Sequence, residues 1–185
     1  MSLDGNSTLT VSNNLFQNNY VAVNDTYGYQ PMNFQHNTFA NNYSAFAGIR
    51  TVGGSYFNFN NFQDNTNVFE YGYYFDNVDV SSNNFDGSDL VIRAPEVGYG
   101  YGTVSMLNNW WGTTNVNAIE GMIYDRNDLG TLQGINYSIS SQPFSTAGIQ
   151  FSSIAPVPLP ESYLMMLVGI CMMGFIVRRH HNNQA

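Results

Sequence analysis

No lysine occurs anywhere in the 185 residues, and the five basic side chains are Arg50, Arg93, Arg126, Arg178 and Arg179. Against 13 acidic residues this leaves a formal charge of −8. Nucleic-acid binding needs a basic face that neutralises phosphates, so this charge argues against it. Charged residues of either sign make up only 10% of the chain, well below the usual share of a soluble domain. The single cysteine, Cys171, excludes an intramolecular disulfide framework. Helical spacing of apolar residues is also missing, and Asn, Gly and Thr, which are abundant, are poor helix formers. The first six residues, Met1 to Asn6, have neither a basic nor an apolar region, so they do not read as a signal peptide. Because the tail described below points to export, the chain is expected to be the C-terminal part of a longer protein.

What the chain does have is a repeat. The triplet Asn-x-aromatic recurs at Asn14–Phe16, Asn37–Phe39, Asn60–Phe62 and Asn83–Phe85, each copy 23 residues after the last. A fifth copy, Asn109-Trp110-Trp111, follows after 26. Flanking positions keep the same phase. Val11, Phe34, Phe57, Val80 and Met106 precede the asparagines by three, and Val23, Phe46, Phe69 and Ile92 follow the first four aromatics by seven. Inside each unit the apolar positions lie two apart, the period of a strand.

A 23-residue period of short strands and Asn-rich turns predicts an all-β fold, a right-handed parallel β-helix of about five coils. Coils would stack at the inter-strand distance, about 4.8 Å, so equivalent residues would sit above one another. Phe16, Phe39, Phe62, Phe85 and Trp111 would form an internal stack. Asn14, Asn37, Asn60, Asn83 and Asn109 would form an amide ladder. Over roughly residues 9–144 this pattern resembles the right-handed β-helix repeat proteins of pectate-lyase-like architecture. The segment from Asn108 to Thr113, with Ile123-Tyr124-Asp125 and Ile135-Asn136-Tyr137, is similar to their closing segment. Residues 113–144 are accordingly expected to cap the C-terminal end of a repeat domain over 1–151. Nothing before Leu9 offers an N-terminal cap, which again suggests coils upstream.

Residues 152–162 contain three prolines and read as an extended linker. Residues 163–177 then run uncharged for fifteen positions and end on Arg178 and Arg179. As a helix they would span about 22 Å against a bilayer core of about 30 Å, short but workable with arginine snorkelling. The basic flank predicts a cytoplasmic tail over 180–185, with the repeats on the other side. The order of motif, apolar helix, arginine pair and chain end resembles the PEP-CTERM sorting signal. The motif here is Val157-Pro158-Leu159-Pro160-Glu161-Ser162, in which Glu161 is displaced from the usual Pro-Glu-Pro. Membership implies a Gram-negative bacterium, export, processing by an exosortase-type membrane protease, and delivery to the cell surface or extracellular matrix. Leu159-Pro160-Glu161-Ser162 also approaches the sortase signal Leu-Pro-x-Thr-Gly, but lacks its threonine and glycine.

No catalytic constellation, metal-ligand set or cofactor motif appears in the sequence. Glycoside hydrolysis needs two facing carboxylates, whereas Asp76, Asp79, Asp86 and Asp89 read as scattered turn acids, with a weak Ca²⁺ site as the sharper option. His36 reads as a turn residue. Glu70 and Arg93 share a phase and should be neighbours. Tyr27, Arg50 and Tyr73, with Glu96, share another, and an arginine between tyrosine rings could bind carbohydrate. The expectation is a non-enzymatic surface or matrix protein whose β-helix is a structural or carbohydrate-binding module. The alternative is a fragment of a polysaccharide lyase or hydrolase.

Overall fold

The computed structural model describes residues 8–24, 30–50, 53–71, 77–98 and 104–149, all within one unit, Met1–Gln150. The strands follow the repeat. The first unit contributes β1 (Leu9–Ser12), β2 (Leu15–Gln17) and β3 (Val21–Asn24). The second contributes β4 (Met32–Gln35), β5 (Thr38–Ala40) and β6 (Ser44–Ile49). The third contributes β7 (Tyr56–Asn58), β8 (Asn61–Gln63) and β9 (Asn67–Tyr71), and the fourth β10 (Val78–Asp79), β11 (Asn84–Asp86) and β12 (Leu90–Arg93). Then come β13 (Val104–Asn109), a five-residue helix α1 (Val116–Glu120), β14 (Ile123–Tyr124) and β15 (Asn136–Ile139).

Like strands pair in parallel and build three sheets, in the orders β1-β4-β7-β10-β13-β15, β11-β8-β5-β2 and β14-β12-β9-β6-β3. Phe16 pairs with Phe39 and Phe39 with Phe62, so the register is the 23-residue period itself. The protein is therefore an all-β parallel solenoid. The expected five coils shrink to about three: those of β4–β6 and β7–β9 have paired neighbours on both sides in all three sheets, and that of β10–β12 has them in the first and third. Among the described residues the coil of β1–β3 is an edge in every sheet. The fifth repeat makes only an isolated bridge, Asn84 to Trp110, where a second-sheet strand would stand, because the chain leaves for α1.

The interior is phenylalanine. Phe16, Phe39, Phe62 and Phe85 stack nearly parallel, with centroids 4.7, 5.1 and 5.2 Å apart, and Trp111 continues the column at 5.2 Å, tilted by 40°. Phe34–Phe57 and Phe46–Phe69 form two more columns, at 5.5 and 5.2 Å. The columns meet edge to face: Phe46 lies 5.0 Å from Phe34 and 5.2 Å from Phe57. Stacking along the axis and edge contacts across it both suit the ring quadrupole.

Two corners per coil turn on left-handed residues. The first corner uses Asn13, His36, Phe59, Ser82 and Asn108, with φ between 55° and 58°. The second uses Asn18, Asn41, Asp64, Gly87 and Gly112. At Gly87, φ is +66° and an added Cβ would sit 2.2 Å from Asp64 Oδ1, so a side chain here would be strained and would have to push the Asp64 carboxylate aside.

The C-terminal end is closed. Asn115 Oδ1 caps α1 by accepting from the N–H groups of Asn117 and Ala118, and Ile119 on that helix is fully buried against the core. The buried Asp125 carboxylate accepts from Asn127 N at 2.8 Å and Ile135 N at 2.9 Å, fixing the turn that leads to β15. The Tyr137 hydroxyl donates to Glu120 Oε1. That bond, then partial burial, then the nearby charges of Glu120 and Asp125 push the phenol up to about 12 from its ordinary value of 10. The folded state thus holds this proton more tightly than the unfolded chain does. The stabilisation is complete below pH 10 and is lost as pH rises toward 12. Urea midpoints of wild type and Tyr137→Phe should converge over that interval, and parallel curves would contradict the linkage.

After β15 the chain turns back along the outer face of the second sheet. Phe144 exchanges two hydrogen bonds with the Asn84 amide, at 2.8 and 3.0 Å. His36 Nδ1 donates to Thr146 O at 2.8 Å, Gly148 N donates to Phe59 O at 2.8 Å, and Ile149 N donates to Thr38 Oγ1 at 3.4 Å. This strap ties the fourth coil to the second. Among the described residues no helix is long and apolar enough to cross a membrane. The expected helix over 163–179 and the tail over 180–185 lie outside the described residues, as does the linker over 152–162.

Candidate functional site

The ladder asparagines stand where the repeat puts them. Asn37 N and Nδ2 both donate to Asn60 Oδ1, at 3.0 and 3.1 Å, and Asn60 N and Nδ2 both donate to Asn83 Oδ1, at 2.8 and 3.1 Å. Each Nδ2 also reaches back to a main-chain carbonyl of the preceding coil: Asn60 to Phe34 O at 2.9 Å, Asn83 to Phe57 O at 2.6 Å. Oδ1 takes two donors and Nδ2 gives both its hydrogens, so the amide is fully used in a place without water. Asn14 opens this ladder and Asn109 closes it.

A second ladder went unread in the sequence. Asn19, Asn42 and Asn65 repeat the same bonds at the other corner, with Asn42 N and Nδ2 donating to Asn65 Oδ1 at 3.0 and 2.9 Å. Its signal was there, an asparagine five residues after each of Asn14, Asn37 and Asn60. It ends at Ser88, a buried hydroxyl without a hydrogen-bond partner. Both ladders are scaffold: they fix the coil corners and leave the outer faces of the sheets to carry function.

One such face is hollowed. A cavity of about 280 Å³ lies on the outer side of the first sheet, lined by Gln35, Gly54, Ser55, Tyr56, Asn58, Asn77 and Asp79. The strands place these groups by alternation. Met32 and Phe34 point into the core, so Asn33 and Gln35 point out, and Tyr56, Asn58 and Asp79 follow on later coils. Asn33, Tyr56 and Asp79 share one register column. Gly54 at φ +89° and Asn77 at φ +42° turn the incoming loops and form the rim. Asn58 Nδ2 donates to Asp79 Oδ2 at 3.4 Å, and Asn58 Oδ1 accepts from Ser81 N at 3.5 Å. Asn33 Oδ1, in the same column, is buried without a hydrogen-bond partner. Among the described residues the lining thus offers amides that can both donate and accept, one half-buried aromatic ring, one carboxylate and no cation. Such a surface suits a hydroxyl-rich ligand.

The face expected from the sequence lies elsewhere. Arg50 follows β6, in the third sheet, while Tyr27 and Tyr73 lie outside the described residues. Glu70 and Arg93 are register partners, as their spacing required. Glu70 accepts from Ser44 Oγ at 3.3 Å, and the Arg93 guanidinium stands 5.5 Å from the centre of the Tyr124 ring. Asp86 and Asp89 are exposed and Asp76 lies outside the described residues. Among the described residues no group of three or more His, Cys, Asp or Glu side chains is arranged to hold a metal ion. His36 is a corner residue whose ring stacks on Phe59 at 5.5 Å. The sorting motif, residues 157–162, and Arg178 and Arg179 also lie outside the described residues. The chain matches no family model, and no curated protein or solved structure is significantly similar to it.

Proposed function

We propose that this protein is an exported, non-enzymatic solenoid that binds a neutral polysaccharide along the outer face of its first sheet. The observation that carries this reading is the groove around Tyr56. Amide groups recur there from coil to coil, as hydroxyls recur along a glycan, and the ring offers a stacking surface. Among the described lining residues Asp79 is the one charged group, which disfavours acidic polymers. That the described lining residues include a single carboxylate also supports binding over cleavage, since hydrolysis needs a facing pair. Right-handed winding and kinship with pectate-lyase-like architecture go with this reading, because parallel crossovers are right-handed in nearly all sheets.

The test is titration of the full chain in detergent micelles with a neutral hexose oligosaccharide, and with oligogalacturonate as the acidic comparator. The neutral ligand should bind, and Tyr56→Ala should weaken it about tenfold, ~1.4 kcal/mol. Preference for the acidic ligand, or unchanged affinity in Tyr56→Ala, would contradict the proposal.

The destination rests on the tail sequence. Val157 to Ser162, the uncharged run and Arg178-Arg179 support sorting by an exosortase-type protease to the surface or matrix of a Gram-negative bacterium. Intact mass decides it. Carrying an export signal, the chain should lose about the mass of its tail only in a host with the protease, with the cut between residues 160 and 163. Uncut chain held in the inner membrane of both hosts would show a plain anchor instead.

A further inference from the structure

Two tyrosines meet on the outside of the coils. Tyr20 stands between β2 and β3 and Tyr43 between β5 and β6, each directly after a ladder asparagine, Asn19 or Asn42. Main-chain bonds hold the two corners in register: Tyr43 N donates to Asn19 O at 3.0 Å, and Ser44 N donates to Tyr20 O at 2.9 Å. The rings lie face to face, with centroids 4.8 Å apart and planes 3° from parallel. Tyr20 is 76% exposed and Tyr43 47%. The exposure belongs to the corner and not to the start of the chain, because Tyr43 has a coil on either side. Its own carbonyl accepts from Asn67 N at 2.9 Å, on the next coil. Thr66 and Asp89 hold the equivalent position in the two coils that follow, so the stack does not continue past Tyr43.

Each ring spends a face on the other, so the pair is a poorer platform for a sugar than a lone ring. Two phenols held this close, and both open to solvent, are instead placed to couple once each has lost an electron. Other ways of tying one coil to another are scarce in this chain, which has no lysine and one cysteine. Among the described residues no other two tyrosine rings are in contact.

We propose that Tyr20 and Tyr43 are an oxidative modification site, joined into an intrachain dityrosine that staples the first coil to the second. The co-reactant is hydrogen peroxide, used by a haem peroxidase. Each phenol gives up one electron and its hydroxyl proton. The two radicals then pair their electrons in a carbon–carbon bond between Cε of one ring and Cε of the other. The hydrogens on those two carbons leave as protons and the oxygens are protonated in their place, so both rings become phenols again. In sum, two electrons and two protons leave the pair and turn one hydrogen peroxide into two waters. Tyr20, the more exposed of the two, has the freedom to turn its ring into the new bond. Proximity favours the intrachain product, because the partner ring is already in place and need not be met by diffusion. The staple is independent of the groove around Tyr56, which lies on the first sheet.

The test is oxidation of the full chain in detergent micelles by a haem peroxidase with limiting hydrogen peroxide. The product is unfolded, cut with an aspartate-specific protease and read by mass spectrometry. Asp25 lies between the two tyrosines, so the staple holds two peptides together with the loss of two hydrogens. A light-driven ruthenium–persulfate oxidant, which also works in urea, supplies the comparison between folded and unfolded chain. The Tyr20–Tyr43 product should form with both oxidants, and at least about tenfold more in the folded chain than in urea. Tyr20→Phe and Tyr43→Phe, which each keep a ring in the stack, should both lose it. No Tyr20–Tyr43 product with the peroxidase, equal yields from folded and unfolded chain, or joined peptides found only in dimeric chains would overturn the proposal.

Discussion

Asn60→Ala should cost about 3–5 kcal/mol of unfolding free energy, far more than its loss of apolar contact implies. Asn60 is completely buried. Its Oδ1 satisfies the Asn37 main-chain N–H and one Asn37 amide hydrogen, and its Nδ2 satisfies Phe34 O and binds Asn83 Oδ1. Truncation strands three of these groups where water cannot reach them, and a buried unsatisfied group costs about 1–3 kcal/mol. The effects do not add fully, because neighbouring corners relax together. Asn14→Ala is the internal comparison: the same residue type, in the same ladder, at an exposed end. It should cost about 1 kcal/mol or less. Denaturant unfolding of both variants checks the contrast, and equal costs would mean that the ladder is an ornament of the turns rather than their support.

The second large effect belongs to Phe46. Its ring lies 4.7 Å from Phe39, 5.0 Å from Phe34 and 5.2 Å from both Phe57 and Phe69. It joins the three columns, and no side chain beside it can swing into the space it would leave without breaking its own stack. Phe46→Ala should therefore sit at the upper end of large-to-small costs, about 3–5 kcal/mol. Tyr20→Ala removes an equally stacked ring, 4.8 Å from Tyr43, but one that is 76% exposed. That change should cost about 1 kcal/mol or less. A cost near 1 kcal/mol for Phe46→Ala would show that the coils close up around the gap, and that the aromatic columns do not hold the spacing of the solenoid.

The coil repeat was legible because it rests on one-dimensional facts. A solenoid turns sequence period into register, so the phase of Asn37, Asn60 and Asn83 was enough to place them above one another. The coil number was less legible. The motif Asn109-Trp110-Trp111 looks like a full repeat, yet Asn109 and Trp111 join their columns while Trp110 makes only an isolated bridge before the chain leaves for α1. Repetition shows where a coil begins and does not show whether its second-sheet strand forms. The second ladder was missed because Asn18-Asn19 and Asn41-Asn42 are doublets, whose members look alike in sequence. In the structure Asn41 supplies the left-handed corner and Asn42 the ladder amide.

The groove could not be read from the chain at all. Gln35, Tyr56, Asn58 and Asp79 are polar residues in outward phase, as are many others, and what distinguishes them is the rim set by Gly54 and Asn77. Loop conformation of that kind has no period. The strap was hidden for a related reason: Phe144, Thr146 and Gly148 bind coils that lie 60 to 110 residues earlier in the chain.

The claim that matters most is that the first sheet's outer face holds the glycan. Its most direct test is amide exchange of the full chain at saturating neutral oligosaccharide, resolved strand by strand. The account predicts slowed exchange at β4, β7 and β10 and in the turns around Gly54 and Asn77, with β6, β9 and β12 unchanged. Protection confined to the third sheet beside Arg50, or none anywhere at saturation, would contradict it.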